Sequence, residues 1–296
     1  MSIYSIRDLE QLSGIKAHTL RIWEQRYNIL NPERTDTNIR TYTGEDLKRV
    51  LNISLLREHG HKISNIAKIS QEEMSKEVMA ISDKQMSYPD QIQSLTISMI
   101  DLDEERFEKV MSSNILKFGL ENTMINIIYP FLSRIGMLWV TGSIGPAQEH
   151  FISNLIRQKI IVATDAQVVK LNENSKTFVL YLPEGELHEI GLLFANYILR
   201  SKNHKVIYLG QSLPFNELAV VCEIHKPDYI FSAITSVPSQ DEVQEYVNRL
   251  AEYFSNIKIL LTGYQIVGQY LKLSENVEVI NNVNDIVELA SVGLEK

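Results

Sequence analysis

The sequence predicts a multi-domain chain in three parts. They are an N-terminal all-α head containing a helix-turn-helix, a middle four-helix bundle, and a C-terminal α/β domain with a doubly wound, five-stranded parallel sheet. Three observations predict this. Over 296 residues, a length that suits two or three domains, the hydrophobic period changes from helical to strand-like after Asn172-Glu-Asn-Ser175. Beyond that point five short apolar runs alternate with helical stretches, as in a sheet buried on both faces. Near the N-terminus a tight Gly-containing break joins two short helices.

The head is read as residues 1–72. Ser5 caps a first helix with acids in its first turn, Ser13-Gly14 ends it, and 16–27 form a second. Residues 31–38, rich in breakers, are a loop. Thr43 with Asp46 three places on predicts a capping box for a third helix to Glu58, which stops at Gly60, and 62–69 are a fourth. Residues 73–90 are read as a connector. Residues 91–170 are a helical bundle, broken near 101–103, at Gly119 and over 142–146.

Residues 171–296 form the α/β domain, with strands over 178–182, 205–209, 229–234, 258–262 and 277–280. Helices are expected over 188–202, 214–225, 238–254, 264–273 and 283–294. In such folds ligands bind at the carboxyl ends of the strands.

Composition narrows the function classes. The single cysteine, Cys222, rules out a disulfide within the chain, argues against a cysteine-built metal site and points to a reducing cytoplasm. The N-terminus has no apolar signal region, and no run approaches a membrane span. The net charge of −8 is divided unevenly: residues 1–70 hold 11 Lys+Arg against 8 Asp+Glu, and the remainder hold 18 against 29. A mildly basic head on an acidic body suits a head that touches phosphate.

The second helix carries Thr19 near its start and then Arg21, Arg26 and Tyr27. The loop adds Arg34, Thr35, Asn38, Arg40 and Tyr42, residue types that contact phosphate. On these types alone, DNA binding and a small helical domain with solvated arginines both remain open. The string Thr19-Leu-Arg-x-Trp-Glu-x-Arg-Tyr27, followed by Leu30, Pro32, Arg34-Thr35 and Arg40-x-Tyr42, closely resembles the MerR-family winged helix-turn-helix over about 65 residues. The resemblance implies a dimer on a palindromic operator, with Thr19, Arg21, Arg26, Tyr27, Arg34, Asn38, Arg40 and Tyr42 as the DNA-binding set. Trp23 reads as packing.

The first strand of the body runs into Glu186-x-His188-x-x-Gly191. His188 lies on the strand-to-helix loop at the ligand-binding edge. Glu186 is placed to bond one imidazole nitrogen and leave the other for a metal, and Gly191 removes a side chain where something bulky approaches. The motif resembles the cobalamin-binding signature of methionine synthase, the corrinoid mutases and the CarH-type regulators, whose sheet is flavodoxin-like. It implies that His188 is the lower ligand to cobalt, that Ser232 lines the slot for the nucleotide tail, and that Gly263 follows the fourth strand. Tyr264 stands where a second glycine is usual.

In the bundle, Trp139 is followed by nine residues and then by Glu149-His150, just inside a Gly145-Pro146 helix start. This set resembles the bundle of CarH/LitR-type photoreceptor repressors and implies that Trp139, Glu149 and His150 lie beside a 5′-deoxyadenosyl group. The position after the Trp is Val140, which has no donor atom.

These resemblances imply a cytoplasmic DNA-binding regulator, a repressor, that binds adenosylcobalamin and double-stranded operator DNA, self-associates as a dimer or tetramer, and responds to light. The alternative is a regulator of the same fold that neither binds nor needs cobalamin. An enzyme is not expected, because no segment is long enough for a substrate-activating barrel.

Overall fold

The computed structural model describes residues 4–35, 38–70, 73–74, 76–78, 88–140 and 144–291. They divide into two compact units, Met1–Leu155 and Ile156–Lys296.

In the first unit, α1 (Ile6–Ser13) begins with a capping box. Ser5 Oγ accepts from the Asp8 amide, and the Asp8 carboxylate accepts from the Ser5 amide. Gly14, at φ 71°, ends it in the left-handed conformation that glycine adopts without strain. Helix α2 (Ala17–Tyr27) follows. The loop expected over 31–38 contains one arm of a small antiparallel hairpin, β1 (Glu33–Arg34) with β2 (Arg40–Thr41); Asp36 and Thr37 lie outside the described residues. A bridge between Tyr4 and Tyr42 ties this wing to the chain start. Helix α3 (Gly44–Glu58) has the Thr43–Asp46 capping box, and α4 (Ile63–Ile66) is a single turn, shorter than its sequence suggests.

The helical middle has α5 (Tyr88–Asp101), α6 (Glu104–Thr123) and α7 (Tyr129–Val140), followed by α8 (Pro146–Asp165), which runs across the division between the two units. At Gly119, φ 77°, the chain kinks instead of stopping, and a π-helical turn, Met124–Ile128, leads into α7. Phe107, Met111, Met124, Ile127 and Phe131 are fully buried. The head meets α5 and α7 through polar contacts. Gln93 Nε2 donates to the Leu51 carbonyl at 2.6 Å, and the Arg134 guanidinium donates to the last carbonyls of α1, at Gln11 and Leu12. Met74 and Val78, one turn apart in the segment read as a connector, are buried. Residues 79–87 and 141–143 lie outside the described residues.

The second unit is a five-stranded parallel sheet. Its elements are β3 (Thr177–Pro183), α9 (Ile190–Ser201), β4 (Lys205–Leu213), α10 (Phe215–His225), β5 (Tyr229–Ala233), α11 (Val243–Tyr253), β6 (Lys258–Thr262), β7 (Val277–Val279) and α12 (Val283–Ser291). The strand order is β4-β3-β5-β6-β7. Alternation sends Val179 and Tyr181 into one core with α10 and α11, while Phe178, Leu180 and Leu182 bury on the other face. The chain leaves β3 toward one edge and returns to the other, so the switch point lies between the carboxyl ends of β3 and β5.

Segment 264–273 is not a helix. It is a series of turns starting at Gly263 and interrupted by Gly268, φ 76°, with Tyr270 fully exposed. A left-handed glycine in mid-segment breaks the i→i+4 ladder that the expected helix requires. Of the last expected helix, 292–294 lie outside the described residues.

Candidate functional site

On the head, α2 buries Leu20 and Trp23, and the Arg57 guanidinium lies 5.0 Å from the Trp23 ring. Arg21 and Arg26 are exposed; Thr19 and Tyr27 are half-buried, with the Arg26 guanidinium 5.4 Å from the Tyr27 ring. Arg34 and Asn38 are exposed at the wing and bond each other at 2.6 Å. Arg40 and Tyr42 differ from this open set. Arg40 Nε donates to Glu24 Oε1 at 3.1 Å, and the Tyr42 hydroxyl donates to Glu24 Oε2 at 3.3 Å. Tyr42 is 1% exposed, so its ring packs between wing and helix and its hydroxyl is directed at Glu24. Burial, and then the Glu24 carboxylate, push the Tyr42 hydroxyl up to about 12. Glu24, not singled out in the sequence, joins the wing to α2.

In the α/β unit, the β3–α9 loop carries Glu186 and His188 to the switch point. Glu186 is fully buried. One oxygen accepts from the amides of Leu187 and His188 and, at 2.6 Å, from His188 Nδ1. The other accepts from the amides of Thr235, Ser236 and Val237 on the loop after β5. Burial alone would raise this carboxyl, but the donors from Ser236, His188 and Val237 outweigh it and hold the group at about 2. Facing an ionised carboxylate, Nδ1 is the donor, so in the neutral imidazole the free lone pair is on Nε2. The His188 side chain is 61% exposed, and Nε2 has no partner among the described residues.

A Cβ at Gly191 would meet no atom within 4 Å, so packing does not demand glycine there. Gly263 is the opposite case: at φ 101°, its Cβ would sit 2.3 Å from the Ile234 carbonyl oxygen. Ser232 is buried and donates to the Tyr181 carbonyl at 2.9 Å. Gly263 and Ser232 thus both serve the sheet itself. Tyr264 is 75% exposed and does not fill the sheet's interior. Next to His188, Glu189 pairs with Arg157 and accepts from the Tyr208 hydroxyl at 3.1 Å; none of these three was singled out in the sequence.

Glu149 and His150 occupy the first turn of α8, 3.4 Å apart, with the His150 side chain 73% exposed. Trp139 and Val140 end α7; their side chains lie outside the described parts.

Among the described residues, no group of three or more His, Cys, Asp and Glu could hold a bare metal ion. A lone imidazole ligates usefully when the metal arrives with its other ligands, as it does in a corrin ring. The oriented Nε2 of His188 and the open space at Gly191 fit such a group. No helix among the described residues is long and apolar enough to cross a membrane.

Fold and site together define a DNA-binding regulator with a corrinoid-type module behind its head. The comparisons agree. Residues 4–73 match the model of the MerR HTH family regulatory protein, and residues 91–163 match that of the B12 binding domain. The chain is 26% identical over 255 residues to the HTH-type transcriptional repressor CarH of Myxococcus xanthus, covering 84% of each chain. It is 24% identical over 290 residues to the repressor CarA of the same organism, covering 94% of this chain and 96% of that one. The HTH-type transcriptional regulator MlrA of Escherichia coli matches at 33% over 66 residues, 22% of this chain and 27% of that one. The chain is a MerR-type transcription regulator carrying a B12 binding domain.

Proposed function

We propose that this regulator represses transcription under the control of adenosylcobalamin, with His188 as the axial ligand to cobalt. The observation that carries the reading is the Glu186–His188 pair at the sheet's switch point, with Nδ1 held at 2.6 Å and Nε2 left open. Glu186 fixes the tautomer, and the amides of Thr235, Ser236 and Val237 fix Glu186. Gly191 leaves room for the macrocycle, and Ser232 and Gly263 are assigned to the tail side. Trp139, Glu149 and His150 are assigned to contact with the adenosyl group. When bound, the cofactor supplies a cobalt–carbon bond that light can break.

In the head, α2 enters the major groove of operator DNA, with Thr19, Arg21, Arg26 and Tyr27 on the helix and Arg34, Asn38 and Arg40 on the wing. Tyr42 supports the wing from beneath. The protein works as a dimer or tetramer in the cytoplasm, not as an enzyme, and the names of the repressors CarH and CarA support the repressor assignment.

The test is a visible absorption titration with adenosylcobalamin in the dark, on the wild-type chain and on His188→Ala. The wild type is expected to bind with a ligand-shifted spectrum, and His188→Ala to lose binding or the shift. An unchanged spectrum in the variant overturns the ligand assignment. No binding by the wild type favours the regulator that does not use cobalamin.

A further inference from the structure

The arginines of α2 bracket a face that is not charged. At about 100° per residue, His18, Ile22 and Gln25 fall within a narrow arc, Arg21 lies on one flank, and Thr19 and Arg26 lie on the other. Burial agrees: His18, Arg21, Ile22, Gln25 and Arg26 are exposed, whereas Leu20 and Trp23 on the opposite side are buried. Ile22 is 51% exposed at the centre of this face, and the Gln25 amide has no partner among the described residues. His18 completes the face at its N-terminal end, its Nε2 3.3 Å from the Thr19 hydroxyl.

We propose that Ile22 and Gln25 are the base-reading residues of the head, with Gln25 selecting an adenine and Ile22 a thymine methyl group. The chemistry supports this division. A carboxamide offers one donor and one acceptor, matching adenine N7 and N6 in the major groove, and an aliphatic side chain discriminates only through the thymine methyl. Arginines on both flanks reach the phosphates on either side of the groove and carry no sequence information of their own. Residues three apart on a helix rise by about 4.5 Å, so the adenine and the thymine fall on neighbouring or next-but-one base pairs. The proposal rests on the assignment of α2 to the major groove and adds which of its residues read sequence.

The experiment selects preferred duplexes from a randomised pool with the full-length chain, the Gln25→Ala, Gln25→Glu and Ile22→Ala variants in parallel. All three substitutions are solvent-exposed, and circular dichroism checks the fold. The wild type is expected to enrich a motif with an adenine and a thymine within two base pairs. Gln25→Ala should lose the adenine preference, a discrimination of about 5- to 150-fold, and Gln25→Glu should move that preference to cytosine. Replacing the thymine by uracil should weaken wild-type binding about 4-fold and leave Ile22→Ala indifferent. A wild-type motif kept unchanged by Gln25→Ala and Gln25→Glu overturns this inference and spares the DNA-binding assignment. A wild-type chain that enriches no motif overturns both.

Discussion

Glu186 Oε1 accepts a hydrogen bond from His188 Nδ1 at 2.6 Å, while Glu186 Oε2 takes three backbone amides from the loop after β5. A buried carboxylate with this many donors makes its own charge a stability element. Its carboxyl falls from 4.5 unfolded to about 2 folded. The depressed folded value stabilises the native state above about pH 4.5 and loses that contribution as pH falls toward 2. The contribution is on the order of 3 kcal/mol. Glu186→Gln should remove this acid-labile part of the denaturation profile and weaken cobalamin binding about 10- to 100-fold. Chemical denaturation as a function of pH, with a cofactor titration at pH 7, checks both; a variant with the wild-type acid profile refutes the charge assignment.

Two glycines should respond oppositely to the same change. Gly191→Ala adds a Cβ into open space near the start of α9, so the apo protein should keep its stability or gain about 0.5 kcal/mol, while cofactor affinity falls. Gly263→Ala drives a Cβ into the Ile234 backbone at positive φ and should cost about 3 kcal/mol or more whether or not cofactor is present. Thermal melts of apo and loaded protein separate the two effects. A Gly191→Ala chain that binds cobalamin normally would show that the space there is not used.

Glu24 sits on the DNA-facing element, yet removing its negative charge should weaken binding. Without it, Arg40 and the Tyr42 hydroxyl lose their shared partner and the wing loosens from α2. Glu24→Ala is expected to cost about 1–2 kcal/mol of stability and to lower operator affinity. A double-mutant cycle with Arg40→Ala measures the coupling. Tighter binding by Glu24→Ala would mean that the carboxylate acts only as a repelling charge.

Arg21→Ala and Arg26→Ala should each weaken binding to all duplexes evenly and reduce the salt slope by about one. Binding isotherms at several salt concentrations read this directly. A change in the preferred motif instead of the slope would move these arginines from phosphate to base.

Assembly is expected to follow the cofactor. Size-exclusion profiles of apo, dark adenosylcobalamin-loaded and illuminated protein should differ, with the loaded form largest and light reversing the change. Identical apo and loaded profiles would remove the cofactor as an assembly signal. Identical dark and illuminated profiles, with the cobalt–carbon bond shown to be cleaved, would remove light.

Much of this architecture is legible in the sequence because period and capping are local. The five apolar runs are the five strands, and Ser5–Asp8 and Thr43–Asp46 form the expected capping boxes. The legible part of the site is equally local, since Glu186 and His188 are two residues apart. What escaped depends on distant chain. The amides of Thr235, Ser236 and Val237 are backbone groups with no compositional signal, and only the sheet topology places them against Glu186. Arg157 and Glu189 are likewise paired by packing rather than spacing. Tyr42 looked like a phosphate contact from its residue type, and only its burial reveals the support it gives the wing.

The two halves of the Glu186 cluster also differ in when they are made. Ribosomes deliver the loop with Glu186 and His188 about fifty residues before Thr235–Val237. Until the second loop emerges, that carboxylate has only its own loop's donors and His188 is not pinned from the far side. A nascent chain therefore holds Glu186 from one side alone, and the second grip closes only when β5 has docked beside β3.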